Sequence, residues 1–382
     1  MQPLGVAVIG TGFIGPVHVE AVRRLGHHVV GVLGSTPERG QQAAESWGVP
    51  RAYSSLDDLL ADLAVQVVHI TSPNHLHFEQ AKKSLQAGKH VLCEKPLAMT
   101  SKETSQLVSI AQHSPVVAAV CYNVRFYPLC LEARERCRDG RVGSVHHVTG
   151  SYLQDWLLYN TDFNWRVQAE SGGELRAVAD IGTHWMDLIS FVTGLEIEEV
   201  CADLKTVHAL RQSQTGSVET FQKTDSKKEL KTTLFHPVST EDYGSILLHF
   251  KGGARGAFTV SQVTAGRKNC IRFDIAGADS ALAWDSEEPN LLHAGYRQRA
   301  NECLTRDPAL LSDAARPFAN YPGGHAEGFP DTFKQLFRAV YEAIADGKTG
   351  PIPYPTFLDG HREVLLCEAI LRSHRDRCWV SL

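Results

Sequence analysis

Two short constellations carry residue types that could do acid–base chemistry. The first is Glu94-Lys95-Pro96, where the apolar run His90-Val91-Leu92-Cys93 stops on a charged pair. A lysine at the carboxyl end of a parallel strand stands where α/β sheets bind ligands, and its ammonium could polarise a hydroxyl or carbonyl with Glu94 orienting it. The second is Asp180-Ile181-Gly182-Thr183-His184-Trp185-Met186-Asp187, behind the glycine-bearing stretch SGGELRAVA. Read as a regular helix, it sets Asp180, His184 and Asp187 on one face at steps of four and three. That face would pair a carboxylate with an imidazole suited to taking a proton near neutral pH. Each constellation also has a plainer reading: a salt-bridged strand end for the first, a helix-capping Asp180 beside a structural His184 for the second.

A third constellation binds rather than reacts. Gly10-Thr11-Gly12-Phe13-Ile14-Gly15 fits GxGxxG directly after an apolar strand and at the start of a helix, the context that gives this motif its meaning. Gly10 permits the tight turn, Gly12 lets a pyrophosphate approach the backbone, Gly15 lets helix and strand pack closely, and the helix N-terminus supplies donors. The alternative is a turn that serves packing alone. An NAD site of this kind usually has an acid roughly 20 residues later for the ribose 2′-hydroxyl. Here the second strand ends Val32-Leu33-Gly34-Ser35-Thr36, with no acid. Ser35, Thr36 and Arg39 are groups that accept a 2′-phosphate, so NAD and NADP are both allowed with a slight lean to NADP. Arg39 reads equally as a solvated first-turn residue.

The elements that must position these groups alternate along the first part of the chain. Strand-like VAVIG, HVVGVLG, VQVVHI and HVLCEKP are separated by helical patterns over about 16–25, 41–47, 78–86 and 102–112, and a last strand spans 116–122. Such alternation predicts βαβ units and a doubly wound parallel sheet. Beyond about Ser144, HHVTGSYL, SILLHF, AFTVSQ and IRFDIAG alternate apolar and polar residues between glycine-bearing turns, which predicts a second, mainly antiparallel sheet. The predicted fold class is therefore α/β, with a Rossmann domain over 1–123 and an α/β domain over 124–382. DTFKQLFRAVYEAI and LDGHREVLLCEAILRSH are amphipathic helices, candidates to pack back on the first domain. The polar stretch from about Arg211 to Glu241 reads as a long excursion between strands.

Composition narrows the classes of function. In 382 residues, 43% are apolar and 21% charged, with a net charge of −5, which suits a globular protein and gives no reason to expect nucleic acid. No apolar run has the length of a membrane helix and the first residues lack a secretory pattern. Nine scattered cysteines without a CxxC pair read as reduced thiols in a cytoplasmic protein. The pairs His27-His28, His146-His147 and His75/His77 lack carboxylate or cysteine company at ligand spacing, so no metal is expected.

Together these motifs resemble the Gfo/Idh/MocA family of oxidoreductases. GTGFIG, TSPNHLHFEQA, AGKHVLCEKPLAMT, YNVRFYP and DIGTHWMD occur in the family's order, and the likeness spans nearly the whole chain. The resemblance implies NAD(P)-dependent hydride transfer with Lys95, Asp180 and His184 as the catalytic trio. It implies cofactor contacts from Gly10, Thr11, Gly12, Phe13, Ile14, Gly15, Thr71, Pro73, Asn74, His77, Glu94 and Asn123, with Trp165 and Arg166 bordering the nicotinamide. Later blocks, SQVTAGRKNCIRFDIAG, AWDSEEPNLLHAG and GGHAEGFPDTFK, look like a subgroup acting on sugars, anhydrosugars or glycosides. That subgroup implies a secondary alcohol of a sugar or cyclitol as substrate, with Arg125, Arg166 and His325 beside Lys95, Asp180 and His184 in contact with it; Tyr152 could wall the pocket by stacking and reads equally as a core residue. His325 reads equally as a loop residue beside two glycines. The family's open sheet implies a homodimer or homotetramer. Two other functions on this fold remain open at this point: a cofactor-sensing regulator, which needs no catalytic trio, and a glycosidase that retains its NAD.

Overall fold

The structure is a computed structural model and describes residues 2–214, 233–347, 350 and 352–382. The chain divides into two compact units. The first comprises residues up to Asn123 with Glu170–Gly173 and Pro330–Val364, and the second comprises Val124–Ala169, Glu174–Phe329 and Leu365–Leu382.

The first unit is built on a parallel sheet of β1 (Gly5–Ile9), β2 (His28–Leu33), β3 (Val67–Ile70), β4 (His90–Cys93) and β5 (Ala118–Val120), in the order β2-β1-β3-β4-β5. β1 and β3 are buried at every position, as expected of strands covered on both faces. The helices between them start where the sequence supplies caps. Thr36 accepts from Arg39 N, Ser55 from Asp58 N, and Thr100 forms a reciprocal capping box with Glu103. Helix Leu56–Ala61 adds an element that the periodicity did not predict.

The second unit carries a nine-stranded sheet. Its strands are β6 (Val145–Leu153), β7 (Ile197–Lys205), β10 (Tyr243–Phe250), β11 (Arg255–Ser261), β12 (Cys270–Gly277), β13 (Ala281–Asp285), β14 (Leu291–Gly295), β15 (Glu302–Thr305) and β16 (Val380–Ser381). All pairings are antiparallel except β6 with β11. One face of the sheet, including Ile246, Leu248, Phe258, Val260, Phe273 and Ile275, packs on helix Thr183–Thr193. There Trp185 is fully buried, stacks on Phe258 with centroids 4.5 Å apart, and donates Nε1–H to Arg272 O. The expected excursion over 211–241 is in part a hairpin-like pair, β8 (Leu210–Gln214) with β9 (Thr233–Pro237). Its middle, 215–232, lies outside the described residues.

Candidate functional site

In the first unit the binding and reacting motifs leave one sheet at one level. Ile9 is in register with Ile70, and Ile70 with Cys93. Gly10, Thr71 and Glu94 therefore depart side by side from the carboxyl edge of the sheet. Gly10 has φ +107°, and a Cβ there would lie 2.6 Å from the Thr71 backbone, so no other residue fits. Thr71 Oγ1 donates to Ile9 O at 2.8 Å and to Gly10 O at 3.2 Å, which ties the glycine turn down. At Gly12 a Cβ would meet nothing within 4 Å. Bare backbone thus faces open space at the start of helix Ile14–Arg24, whose N-cap Phe13 makes no side-chain cap. A positive helix end and room for a bulky group fit a dinucleotide pyrophosphate.

At the end of β2, Thr36 Oγ1 is spent as an N-cap, and Arg39 Nη1 lies 3.4 Å from Ser35 Oγ. Arg39 is exposed. Glu38, in the same first turn, is held below the ordinary carboxylate range by backbone amide donation and by Thr36.

Glu94 is buried. Its Oε1 meets His18 Nε2 at 3.1 Å, and its Oε2 accepts from Lys95 N at 3.3 Å. His18 Nδ1 lies 3.0 Å from His69 Nδ1, and His69 Nε2 lies 2.9 Å from Tyr341 Oη. These contacts form one buried chain, Glu94–His18–His69–Tyr341, walled by Phe333 and Phe337. Burial alone would raise the Glu94 carboxyl, but the His18 hydrogen bond and charge, the Lys95 ammonium and the Cys121 thiol outweigh it and hold it at about 2. Glu94 is thus an anion that fixes charge beside Lys95. His18, Glu94 and Cys121 also bring three potential metal-ligand atoms within 4.8 Å, and the hydrogen bonds already account for His18 and Glu94.

His77 ties two loops together. Its ring nitrogens each lie 2.8 Å from a main-chain carbonyl, Pro96 O and Ser72 O, and it is 1% exposed. Burial also pushes its pKa down. Asn74, at the start of helix Asn74–Gln86 behind Pro73, donates to Gly172 O, and Asn123 donates to Thr332 Oγ1 at 2.7 Å.

In the second unit the Asp180–His184 segment is helical, but not the regular helix the spacing predicts. Val178–Gly182 is a π turn that runs into the α-helix Thr183–Thr193. The turn before His184 is therefore wider than the regular helix the spacing assumes, whereas His184 and Asp187 lie three residues apart in the α-helix itself. Asp187 instead forms a bidentate ion pair with Arg125, whose Nε donates to Oδ2 at 2.7 Å and whose Nη2 meets Oδ1. Arg125 is 9% exposed and also lies over the Phe191 ring. This ion pair braces helix Thr183–Thr193.

Asp180 has a partner that its spacing did not predict. Gln262 Nε2 donates to Asp180 Oδ2 at 2.8 Å, and Arg166 Nε lies 3.7 Å from Oδ1. The Arg166 guanidinium rests over the Trp165 ring. Gln262 is fully buried, and its Oε1 accepts from Arg176 Nη1, so its amide is oriented with N–H toward Asp180. The Glu241 carboxylate accepts from Arg176 N and Val178 N where the helical segment begins. Burial raises Glu241 to about 7 against the opposing pull of those amides. His184 is 7% exposed, with its ring centroid 6.2 Å from that of Tyr152. His325 is exposed on a turn, and its carbonyl accepts from buried Arg306.

Sequence reading missed His18, His69, Arg176, Glu241 and Gln262 as supports of the site. Gln262 lies inside the block SQVTAGRKN, a signal noticed only as part of a resemblance.

Comparison with known proteins agrees with this layout. Residues 4–122 match the model of an oxidoreductase family with an NAD-binding Rossmann fold, and residues 130–283 match the GFO/IDH/MocA C-terminal domain. The chain is 29% identical to levoglucosan dehydrogenase of Pseudarthrobacter phenanthrenivorans, with 100% of this chain and 99% of the relative covered. A solved levoglucosan dehydrogenase in complex with NADH and L-sorbose superposes with a TM-score of 0.89 at 27% identity, over 100% of this chain and 99% of that one. An inositol dehydrogenase homologue from Azotobacter vinelandii, complexed with NADH and myo-inositol, shares the fold with a TM-score of 0.86 at 24% identity, over 100% and 98% of the two chains.

Proposed function

The chain belongs to the Gfo/Idh/MocA family of NAD-binding oxidoreductases, and on that premise we propose that it oxidises a secondary alcohol of a sugar, anhydrosugar or cyclitol, or reduces the corresponding ketone. The observation that carries the reading is the shared register of Ile9, Ile70 and Cys93. It brings the bare glycine turn and Glu94-Lys95 to one edge of one sheet, so a lysine stands beside the place where a dinucleotide fits.

A bound nicotinamide supplies the hydride acceptor. In this reading His184, beside Asp180, takes the hydroxyl proton, while the Lys95 ammonium stabilises the oxygen as negative charge grows on it. Glu94 fixes the charge around Lys95, and Gln262 keeps Asp180 turned as an acceptor. Trp165, Arg166 and Tyr152 supply stacking surface and donors for a polyol. His325 contributes from its exposed turn. The solved relatives hold NADH, whereas the end of β2 has no acid at Gly34 or Ser35 and has Arg39 one turn on. NAD(H) and NADP(H) are therefore both proposed substrates of the cofactor site, with Ser35, Thr36 and Arg39 deciding the ratio. We further propose a homodimer or homotetramer, read by light scattering as a mass of two or four chains.

The test is spectrophotometric: formation of NADH or NADPH with a panel of sugars, anhydrosugars and cyclitols. Turnover of at least one polyol is expected. No reduction of either cofactor by any of them, with cofactor binding intact, would overturn the assignment.

A further inference from the structure

The hydrogen bonds around Tyr152 fix the direction of one side-chain amide in the second unit. Trp156 Nε1 lies 2.7 Å from Gln154 Oε1. An indole nitrogen only donates, so Gln154 must turn its oxygen to Trp156 and its NH2 the other way. Its Nε2 then lies 2.7 Å from Asn269 Oδ1, which also receives the Tyr152 hydroxyl at 2.7 Å. Asn269 can meet two donors only with its oxygen. Its NH2 must therefore face away from them, and among the described residues neither N–H has a protein acceptor. Turning the Asn269 amide over would set NH2 against NH2 at Gln154, and correcting that would set NH2 against the indole.

This oriented amide belongs to the wall that carries the reacting groups. The Tyr152 ring is 6.2 Å from that of His184. Gln154 N donates to Ser261 O, and the residue after Ser261, Gln262, donates to Asp180. Asn269 immediately precedes β12, whose Cys270 pairs with Leu153 at the end of β6. Asn269 is half-buried, so its NH2 remains within reach of a bound molecule.

We propose that Asn269 determines specificity by donating its NH2 to an oxygen of the substrate that can only accept, the ring or bridging ether of a cyclic sugar derivative. The inference rests on the dehydrogenase reading above. A donor fork already held by three hydrogen bonds loses little rotational freedom on binding, and an ether oxygen presents lone pairs with no hydrogen of its own. A cyclitol has no such oxygen in its ring. The substitution Asn269→Asp would keep one oxygen for Tyr152 and Gln154 and turn the other, as an acceptor, against the ether.

The experiment compares kcat/KM for 1,6-anhydro-β-D-glucopyranose, a cyclic ether, and myo-inositol, its carbocyclic counterpart, in the wild type, Asn269→Asp and Trp156→Phe. Asn269→Asp is expected to lower kcat/KM on the anhydrosugar by about 10- to 100-fold while changing any turnover of myo-inositol by less than about 3-fold. Trp156→Phe frees Gln154 to turn over and is expected to narrow the preference between the two polyols while NADH binding, read by fluorescence, is retained. Equal losses on both polyols, or unchanged kinetics of Asn269→Asp on the anhydrosugar, overturn the assignment of Asn269 alone. A wild type that binds NADH and turns over no sugar, anhydrosugar or cyclitol overturns the proposed function and this inference with it.

Discussion

Replacing Lys95 with methionine keeps the length and apolar stem of the side chain and removes its ammonium. If that ammonium stabilises a growing negative charge on the substrate oxygen, turnover falls by at least about 100-fold, while NADH affinity, measured by fluorescence titration, stays within about 3-fold. Near-normal turnover of Lys95→Met on a confirmed polyol would refute the role. Lys95 could be picked from the sequence because a charged pair at the end of an apolar run is a local signal, and so could the glycines at 10, 12 and 15. Their supports could not. Gln262 reaches Asp180 across 82 residues and Arg125 reaches Asp187 across 62, and no spacing rule links partners so far apart. Asp187 misled for the same reason: its helical step from His184 was visible, and its stronger partner was not.

At the scale of elements, the segment that presents Asp180 and His184 begins on a carboxylate whose proton matters. Glu241 is held at about 7 in the folded protein against 4.5 for the free side chain. The folded state therefore keeps a proton that the unfolded state releases between those values. The linked stability is full below about pH 4.5 and is lost as pH rises through about 7, by up to about 3 kcal/mol. Glu241→Gln cannot ionise and retains an oxygen for the Arg176 and Val178 amides. Urea unfolding is expected to show a flatter dependence of the midpoint on pH between about 5 and 8 in Glu241→Gln than in the wild type. Identical slopes would show that Glu241 does not titrate in that window. Most strands and helices of the first unit were legible because they carry their own period or cap, as at Thr36 and Thr100, whereas the six residues of helix Leu56–Ala61 are too few to show one. The π turn was not, since VADIG reads as ordinary helix and only its packing against the sheet of the second unit reveals the extra residue.

For the whole molecule, the useful measurement is thermal stability with and without dinucleotide. NADH at about a hundred times its dissociation constant should stabilise the protein by about 2.7 kcal/mol, seen as a rise in Tm. Gly12→Val should fold normally, because a Cβ at Gly12 meets nothing within 4 Å, yet it fills the place proposed for the pyrophosphate. Its Tm without ligand should match the wild type and should not move with NADH or NADPH; a wild-type response would put the dinucleotide elsewhere. Among the described residues no helix is long and apolar enough to cross a membrane. The π turn over Val178–Gly182 has a last consequence, for how the length of such a chain can vary. Deleting Ile181 or Gly182 would let the segment close into a regular helix, because a π turn holds one residue more than the α-helical turn it replaces. Asp180 and His184 would then stand three residues apart, a spacing that still sets two side chains on one helix face, so a chain one residue shorter here could keep the pair.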